Sequence, residues 1–336
     1  MRTVKAYAAP EAGSELEPFE YELGPLASND IDIRVEHCGL CHTDLSLRDN
    51  AWGITEFPFV GGHEAVGTVI DVGPEVSHVK TGDRVGLGGH SYYCMTCRQC
   101  LDGDHNLCES RQSTVSAGRH GAFADIVRAT GVSVVKLPDD LDFQSAGPLF
   151  CAGITVFNPF VEFDIKPTAL IAVLGIGGLG HLALQFGKAW GCHVTALTSS
   201  SSKEEEALAL GAHAVINSRS EQDLAAAAGS FDVILSTVDV ALDWNAIIAM
   251  LRPKGRLHFL GVQAAPAELQ LMPLMFAQLS LSSSLVGSPQ TLADMLEFCA
   301  RHDIKPVTEH FPFEKINEAL AHLESGKARY RIVLDN

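Results

Sequence analysis

The feature that most constrains this chain is a six-residue turn, Gly175-Ile176-Gly177-Gly178-Leu179-Gly180, set between an apolar run and an amphipathic one. Ahead of it, Thr168–Leu174 is continuously apolar, as in a parallel strand buried on both faces. Behind it, Leu179, Leu182, Ala183, Phe186 and Trp190 recur on one helical stripe. In that setting G-x-G-x-x-G reads as a phosphate-binding turn, with a mere Gly-rich turn as the plainer alternative: its glycines would let the backbone approach a pyrophosphate, whose charge meets the helix N-terminus. The alternation continues through strands at Cys192–Thr198, Ala214–Asn217, Phe231–Ser236 and Arg256–Val262, and through helices at Lys203–Leu210 and Ala241–Leu251. Residues 152–287 are therefore expected to form a doubly wound parallel sheet, with a last strand near Leu279–Val286 at its edge.

The end of the second strand addresses cofactor choice. Leu197-Thr198 passes into Ser199, Ser200, Ser201, Ser202 and Lys203, with no carboxylate where a ribose 2′-hydroxyl is held. Hydroxyls and an ammonium suit a 2′-phosphate, so NADP is expected ahead of NAD. The plainer alternative is a solvated serine loop with Lys203 pointing at water.

The first part of the chain has a different texture. Up to about Pro148 short strands such as Ile31–Val35, Ala65–Val72 and Arg84–Leu87 are broken by Gly, Pro and Asp, which reads as an all-β, barrel-like domain. From about Ser288 a helix at Pro289–His302 and short strands at Glu309–Pro312 and Arg331–Leu334 follow. Assigning this tail to the barrel gives a first domain of residues 1–151 and 288–336, with the nucleotide domain inserted.

No apolar run follows Arg2 and Lys5, so no secretory signal is expected, and Ala169–Leu174 is too short to cross a bilayer. A formal charge of −17 repels nucleic acid and anionic membrane. A cytoplasmic protein is expected, in which nine cysteines call for metal or catalysis rather than disulfides. Cys94, Cys97, Cys100 and Cys108 have the spacing C-x2-C-x2-C-x7-C, with Gly103 and Asp104 in a turn. Four thiolates on one short lobe can close tetrahedrally around zinc and leave no position for substrate, so this set is structural. Elsewhere, Cys41 in Cys41-His42-Thr43-Asp44, His63-Glu64 after two glycines, and Cys151 offer one imidazole and two thiolates, the ligand set of an open zinc site. Spacing cannot join these three; each alone reads as an ordinary buried cysteine or histidine.

Taken together, Cys38-Gly39-Leu40-Cys41-His42-Thr43-Asp44, Gly62-His63-Glu64-Ala65-Val66-Gly67, the thiolate lobe, Cys151-Ala152-Gly153-Ile154-Thr155 and the glycine turn resemble the zinc-containing medium-chain dehydrogenase/reductase superfamily. The similarity is strongest to its cinnamyl alcohol dehydrogenase branch and the related broad-specificity bacterial aldehyde reductases, and runs from about Val4 to Asp335. It implies a GroES-like β-barrel catalytic domain joined to a Rossmann doubly wound sheet. It also implies that Cys41, His63 and Cys151 bind catalytic zinc, that Glu64 approaches the metal transiently, and that Asp44 fixes the His63 ring. Thr43 would hydrogen-bond the alcohol oxygen, His42 and Arg331 would lie near the pyrophosphate, and Thr155 would face the nicotinamide. Gly175, Gly177, Gly178, Leu179, Gly180 and Thr198 complete the cofactor set. Many relatives carry a relay histidine where this chain has Ser46, which cannot act as a base near neutral pH, so water or a group such as Asp49 must serve. Trp52, Phe57 and Leu285 resemble positions that line the substrate pocket, which suggests an apolar or aromatic substrate; ordinary packing explains them equally well.

The leading expectation is NADP-dependent interconversion of a primary alcohol and its aldehyde by a homodimer or homotetramer holding two zincs per chain. Polyol or secondary-alcohol oxidation with NAD is the runner-up within the same fold. A zinc hydrolase would have no use for the glycine turn, and a zinc-stapled binding protein none for the open ligand set.

Overall fold

The computed structural model describes residues 2–116, 118–262 and 266–336, with Ser201 described in its backbone alone. Two compact units divide the chain: Met1–Ile154 with Gly287–Asn336, and Thr155–Val286.

In the first unit a seven-stranded sheet runs in the order Thr308–Pro312, Arg331–Asp335, Asp30–Leu40, Ala65–Val72, Arg84–Leu87 and Val134–Lys136, with Ile126–Thr130 paired beside Asp30–Leu40. The long strand Asp30–Leu40 exchanges partners along its length. Its first half pairs with Ile126–Thr130 and its second with the C-terminal strand Arg331–Asp335. Register shifts at Asp32/Ile33 and Val35/His37 against Ala65–Val72 accompany the exchange; an extra residue on one strand bends it and sharpens its twist, which curls a sheet toward closure. Ile31, Ile33, Val35, Leu40, Val69, Leu87, Phe123, Ile332 and Leu334 belong to one buried core, each such side chain contributing roughly 1.5–3 kcal/mol on burial. The chain's tail thus completes the sheet that its N-terminal part begins. The helix Pro289–His302 starts at Ser288, whose hydroxyl accepts from the Thr291 N–H (3.2 Å), and stops at Asp303 in the left-handed region.

In the second unit six strands are all parallel, in the order Ala214–Asn217, His193–Thr198, Leu170–Leu174, Phe231–Ser236, Leu251–Phe259 and Ser280–Ser283. The chain winds outward from Leu170–Leu174 and then returns to its other side at Phe231–Ser236, which puts the switch point of the sheet at the glycine turn. The helix expected from Ala241 begins only at Trp244, because Asp243 accepts from the N–H groups of Asn245 and Ala246 and caps it there. The strand expected from Arg256 already begins at Leu251, where a register shift lets it pair with Phe231. Helices at Glu221–Ala226 and Leu271–Ala277 are additions to the sequence-based reading. No helix among the described residues is long and apolar enough to cross a membrane.

Candidate functional site

The helix His42–Arg48 is capped by a reciprocal pair at Cys41: the Asp44 carboxylate accepts from the Cys41 N–H at 3.0 Å, and the Cys41 side chain faces the Asp44 N–H. Asp44 is buried, and its other oxygen accepts from the Gly62 N–H (3.0 Å) and from His63 Nδ1 (3.1 Å). With Nδ1 donating to a carboxylate, Nε2 of His63 is left as a lone-pair donor. Gly62 takes φ +89°, and a Cβ there would meet Phe123 at 2.7 Å, so the turn that presents His63 requires glycine.

Cys151 arrives from far along the chain on the short helix Gly147–Phe150. A Cβ on Gly147 would lie 2.6 Å from the Glu64 carbonyl, and one on Gly86 would overlap the Phe150 ring at 2.1 Å. Two glycines therefore let this segment press against the sheet, and Cys151 Sγ comes to 3.8 Å from Cys41 Sγ. Ligand atoms of Cys41, His63, Glu64 and Cys151 all lie within 4.8 Å of one another. Hydrogen bonding from Cys151, outweighing burial, holds the Cys41 thiol well below its ordinary range, and the same contact pushes Cys151 up. Glu64 is fully buried; Oε1 accepts from Arg331, while Oε2 has no hydrogen-bond partner among the described residues. Two thiols, an imidazole nitrogen and an unpartnered carboxylate oxygen gathered in the interior are the donor set of a transition-metal cation, and they fit zinc.

Cys94, Cys97, Cys100 and Cys108 form the second group within 4.8 Å. The helix Arg98–Asp102 ends at Gly103 in the left-handed region, which turns the chain back so that Cys108 Sγ lies 3.5 Å from Cys94 Sγ. N–H groups of Thr96 and Cys97 lower the Cys94 thiol to about 6, whereas burial raises Cys100 to about 12. Among the described residues the lobe's buried cluster joins Tyr93 and Val132 to its own four cysteines, a small apolar surface.

In the second unit the glycine turn follows Leu170–Leu174 and leads into the helix Gly180–Trp190. Gly175 takes φ +89°, a Cβ on Gly180 would meet the Gly175 carbonyl at 1.9 Å, and a Cβ on Gly177 would enter open space. This is the three-glycine logic of a turn closely approached by a ligand. Thr198 is buried at the end of its strand, Ser199 is exposed, and Ser200 bonds the Ser202 hydroxyl at 2.7 Å. The Ser201 side chain lies outside the described residues. Lys203 does not extend into solvent: its Nζ donates to the Ile176 carbonyl at 2.8 Å, directly over the turn.

Several expected residues sit in less pointed places. Thr43 and Ser46 are half-buried on the helix that also carries His42, and Thr155 is half-buried on the helix Ala152–Glu162. Asp49 is engaged by Arg48 at 2.7 Å. Phe57 packs against the barrel core, while Trp52 and Leu285 are exposed. Arg331, expected near a pyrophosphate, is buried against Glu64 in the first unit. The sequence carries no local signal of that pairing, because the partners are 267 residues apart. Thr237 is a further residue that motif reading did not reach: its hydroxyl lies against the glycine turn from 62 residues downstream.

Residues 27–139 match the alcohol dehydrogenase GroES-like domain, and residues 178–301 match the zinc-binding dehydrogenase domain. The chain belongs to the zinc-containing medium-chain dehydrogenase/reductase family, in its cinnamyl alcohol dehydrogenase-like branch, and is an oxidoreductase with a GroES-like barrel and a Rossmann sheet. Among individual proteins it is similar to the aldehyde reductase AdhA of Synechocystis sp., with 58% identity over 99% of both chains. A protein named "Probable mannitol dehydrogenase" from Fragaria ananassa is 36% identical over 99% of this chain and 95% of its own. The solved structure of a cinnamyl alcohol dehydrogenase from Sorghum bicolor superposes with a TM-score of 0.95 at 35% identity, covering 99% and 98% of the two chains.

Proposed function

We propose that the protein interconverts a primary, apolar or aromatic alcohol and its aldehyde with NADP(H). Its catalytic domain would be residues 1–151 and 288–336, and its dinucleotide domain residues 152–287. The convergence of Cys41, His63, Glu64 and Cys151 around one point, with Asp44 fixing the imidazole, is the observation that carries this reading. Zinc held there by Cys41, His63 and Cys151 would supply a Lewis acid that polarises a carbonyl or favours an alkoxide. NADP(H) would supply or accept the hydride.

The chain's own groups do the rest. Asp44 keeps the His63 proton on Nδ1. Thr43 Oγ1 hydrogen-bonds the substrate oxygen and passes its proton outward. Ser46 cannot hold that proton, and Asp49 is tied to Arg48, so water receives it. The turn from Gly175 to Gly180 offers N–H groups to the pyrophosphate, while Thr198, Ser199, Ser200, Ser201 and Lys203 meet the 2′-phosphate. His42 and Thr155 stand toward the cofactor, and Trp52, Phe57 and Leu285 toward the substrate. The four thiolates of the lobe hold a second, structural zinc.

The proposed setting is the cytoplasm, where nine free cysteines stay reduced. The proposed assembly is a homodimer. Leu271, Met272, Met275 and Phe276 are 61–81% exposed on one helix, beside the edge strand Ser280–Ser283, and a second copy would cover both.

Following NADPH absorbance with a panel of aldehydes, before and after chelation, tests the reading. Aromatic and apolar aldehydes should be reduced and chelation should stop turnover; a panel left untouched by the zinc-loaded protein would reject it. The mannitol dehydrogenase relative favours a second reading, polyol oxidation, which predicts NAD+-dependent turnover of mannitol in the same assay.

A further inference from the structure

The carbonyls of Leu174, Gly175, Ile176 and Gly177 are each tied back by a group of the protein. The Leu174 carbonyl accepts from the Thr237 N–H at 2.9 Å and lies 3.0 Å from the Thr237 hydroxyl, which also reaches the Gly175 carbonyl at 2.8 Å. Lys203 Nζ takes the Ile176 carbonyl at 2.8 Å. His181 Nδ1, which must carry a proton to face a carbonyl, takes that of Gly177 at 3.0 Å. In a trans peptide the C=O of one residue and the N–H of the next point in opposite directions. Holding back the carbonyls of Gly175, Ile176 and Gly177 therefore turns the N–H groups of Ile176, Gly177 and Gly178 the other way, as an anion cradle requires.

We infer that Thr237 is a positioning residue that sets this cradle before any nucleotide arrives. Its hydroxyl is the link between the end of the strand Phe231–Ser236 and the first peptide of the turn. The fit leaves no slack: the hydroxyl oxygen lies 3.1 Å and 3.3 Å from where side chains on Gly175 and Gly180 would begin. A turn whose carbonyls are already committed loses little freedom on binding, so its N–H groups contribute their full strength to the pyrophosphate. The role rests on the nucleotide-binding reading above. It concerns the pyrophosphate alone, and so applies equally to NADP and NAD.

Isothermal titration of the zinc-loaded protein with two fragments tests this. ADP-ribose carries the pyrophosphate; 2′-AMP carries adenosine and the 2′-phosphate but no pyrophosphate. Thr237→Val keeps the shape and removes the hydroxyl. It should weaken ADP-ribose about five- to tenfold, the worth of one hydrogen bond to the backbone, and leave 2′-AMP within about twofold. The KM values for NADPH and NADH should rise together with kcat unchanged. Thr237→Ser, which keeps the hydroxyl, should bind ADP-ribose like the parent. A folded Thr237→Val with parental ADP-ribose affinity would overturn the inference. So would a Thr237→Ser protein weakened as much as the valine variant, since packing against Gly175 would then be the cause. A parent that binds no ADP-ribose at all would remove the nucleotide reading itself, and this inference with it.

Discussion

Arg331 donates to Glu64 in the interior of the first unit, joining the start of the C-terminal strand to the residue before the strand Ala65–Val72. Both side chains are almost wholly removed from water, and Arg331 Nε has no partner among the described residues. A pair buried this deeply matters most when half of it is lost. Arg331→Met leaves a bare carboxylate in the interior and should cost about 3–5 kcal/mol of stability by urea denaturation. Adding Glu64→Gln to Arg331→Met should recover part of that loss. An Arg331→Met protein as stable as its parent would show that Glu64 is satisfied by some other group.

The two thiolate-bearing sets should separate in their effects. Metal analysis of fully loaded protein should find two zincs per chain. Cys151→Ala should retain one of them and keep the fold while losing turnover. Cys100→Ala should lower stability markedly, because a structural zinc site contributes folding free energy directly. Cys100→Ala melting with its parent would end the structural assignment.

His258 gives the second unit a sensitivity to acid. It is fully buried, with Nδ1 at 2.9 Å from the Ser282 hydroxyl and Nε2 at 3.1 Å from that of Ser284, an arrangement that suits the neutral ring. Burial, reinforced by Arg256, lowers its pKa to about 4. The folded value lies below the unfolded value of about 6.5, so the folded state binds this proton less readily. Its contribution to stability is complete above about pH 6.5 and is lost as the pH falls toward 4, roughly 1–2 kcal/mol by pH 5. Comparing denaturation at pH 7.5 and pH 5 for the parent and His258→Gln should show a smaller drop in the variant. Equal drops would place the acid sensitivity elsewhere.

The exposed face of the helix Leu271–Ala277 gives an oligomer prediction. Light scattering at micromolar concentration should report a dimer, and Phe276→Glu, which places a charge on a side chain 81% exposed in the single chain, should shift it toward monomer without unfolding it. A parent that is already monomeric would contradict the proposal.

What could be seen in the sequence follows from how local each cause is. The strands Ala65–Val72, Ala214–Asn217 and Phe231–Ser236 and the helix Pro289–His302 stand where their apolar patterns put them, since periodicity is a local property. The cysteine lobe is equally legible, its four cysteines lying within one short segment. Gathering Cys41, His63 and Cys151 needed the family resemblance, because what unites them is a fit between glycines and remote backbone. Helix Ile316–Glu324 has Ile316, Ala319 and Leu320 buried at helical spacing, a readable stripe between the expected strands Glu309–Pro312 and Arg331–Leu334. The partners of Arg331, Thr237 and Lys203 had no sequence signal at all. Each is a contact across the fold, set by tertiary packing.

Steady-state reduction of one aromatic aldehyde by the zinc-loaded protein, with NADPH and NADH compared for the parent and for Cys151→Ala, tests the metal set and the cofactor preference together. A charge-assisted contact from Lys203 to a 2′-phosphate would be worth about 1.5–3 kcal/mol, which corresponds to roughly ten- to hundredfold in kcat/KM. NADPH should exceed NADH by at least about tenfold in the parent, and Cys151→Ala should turn over neither. Turnover that persists in Cys151→Ala would contradict the assignment of the metal set, and equal efficiency with the two cofactors would contradict the reading of Ser199–Lys203.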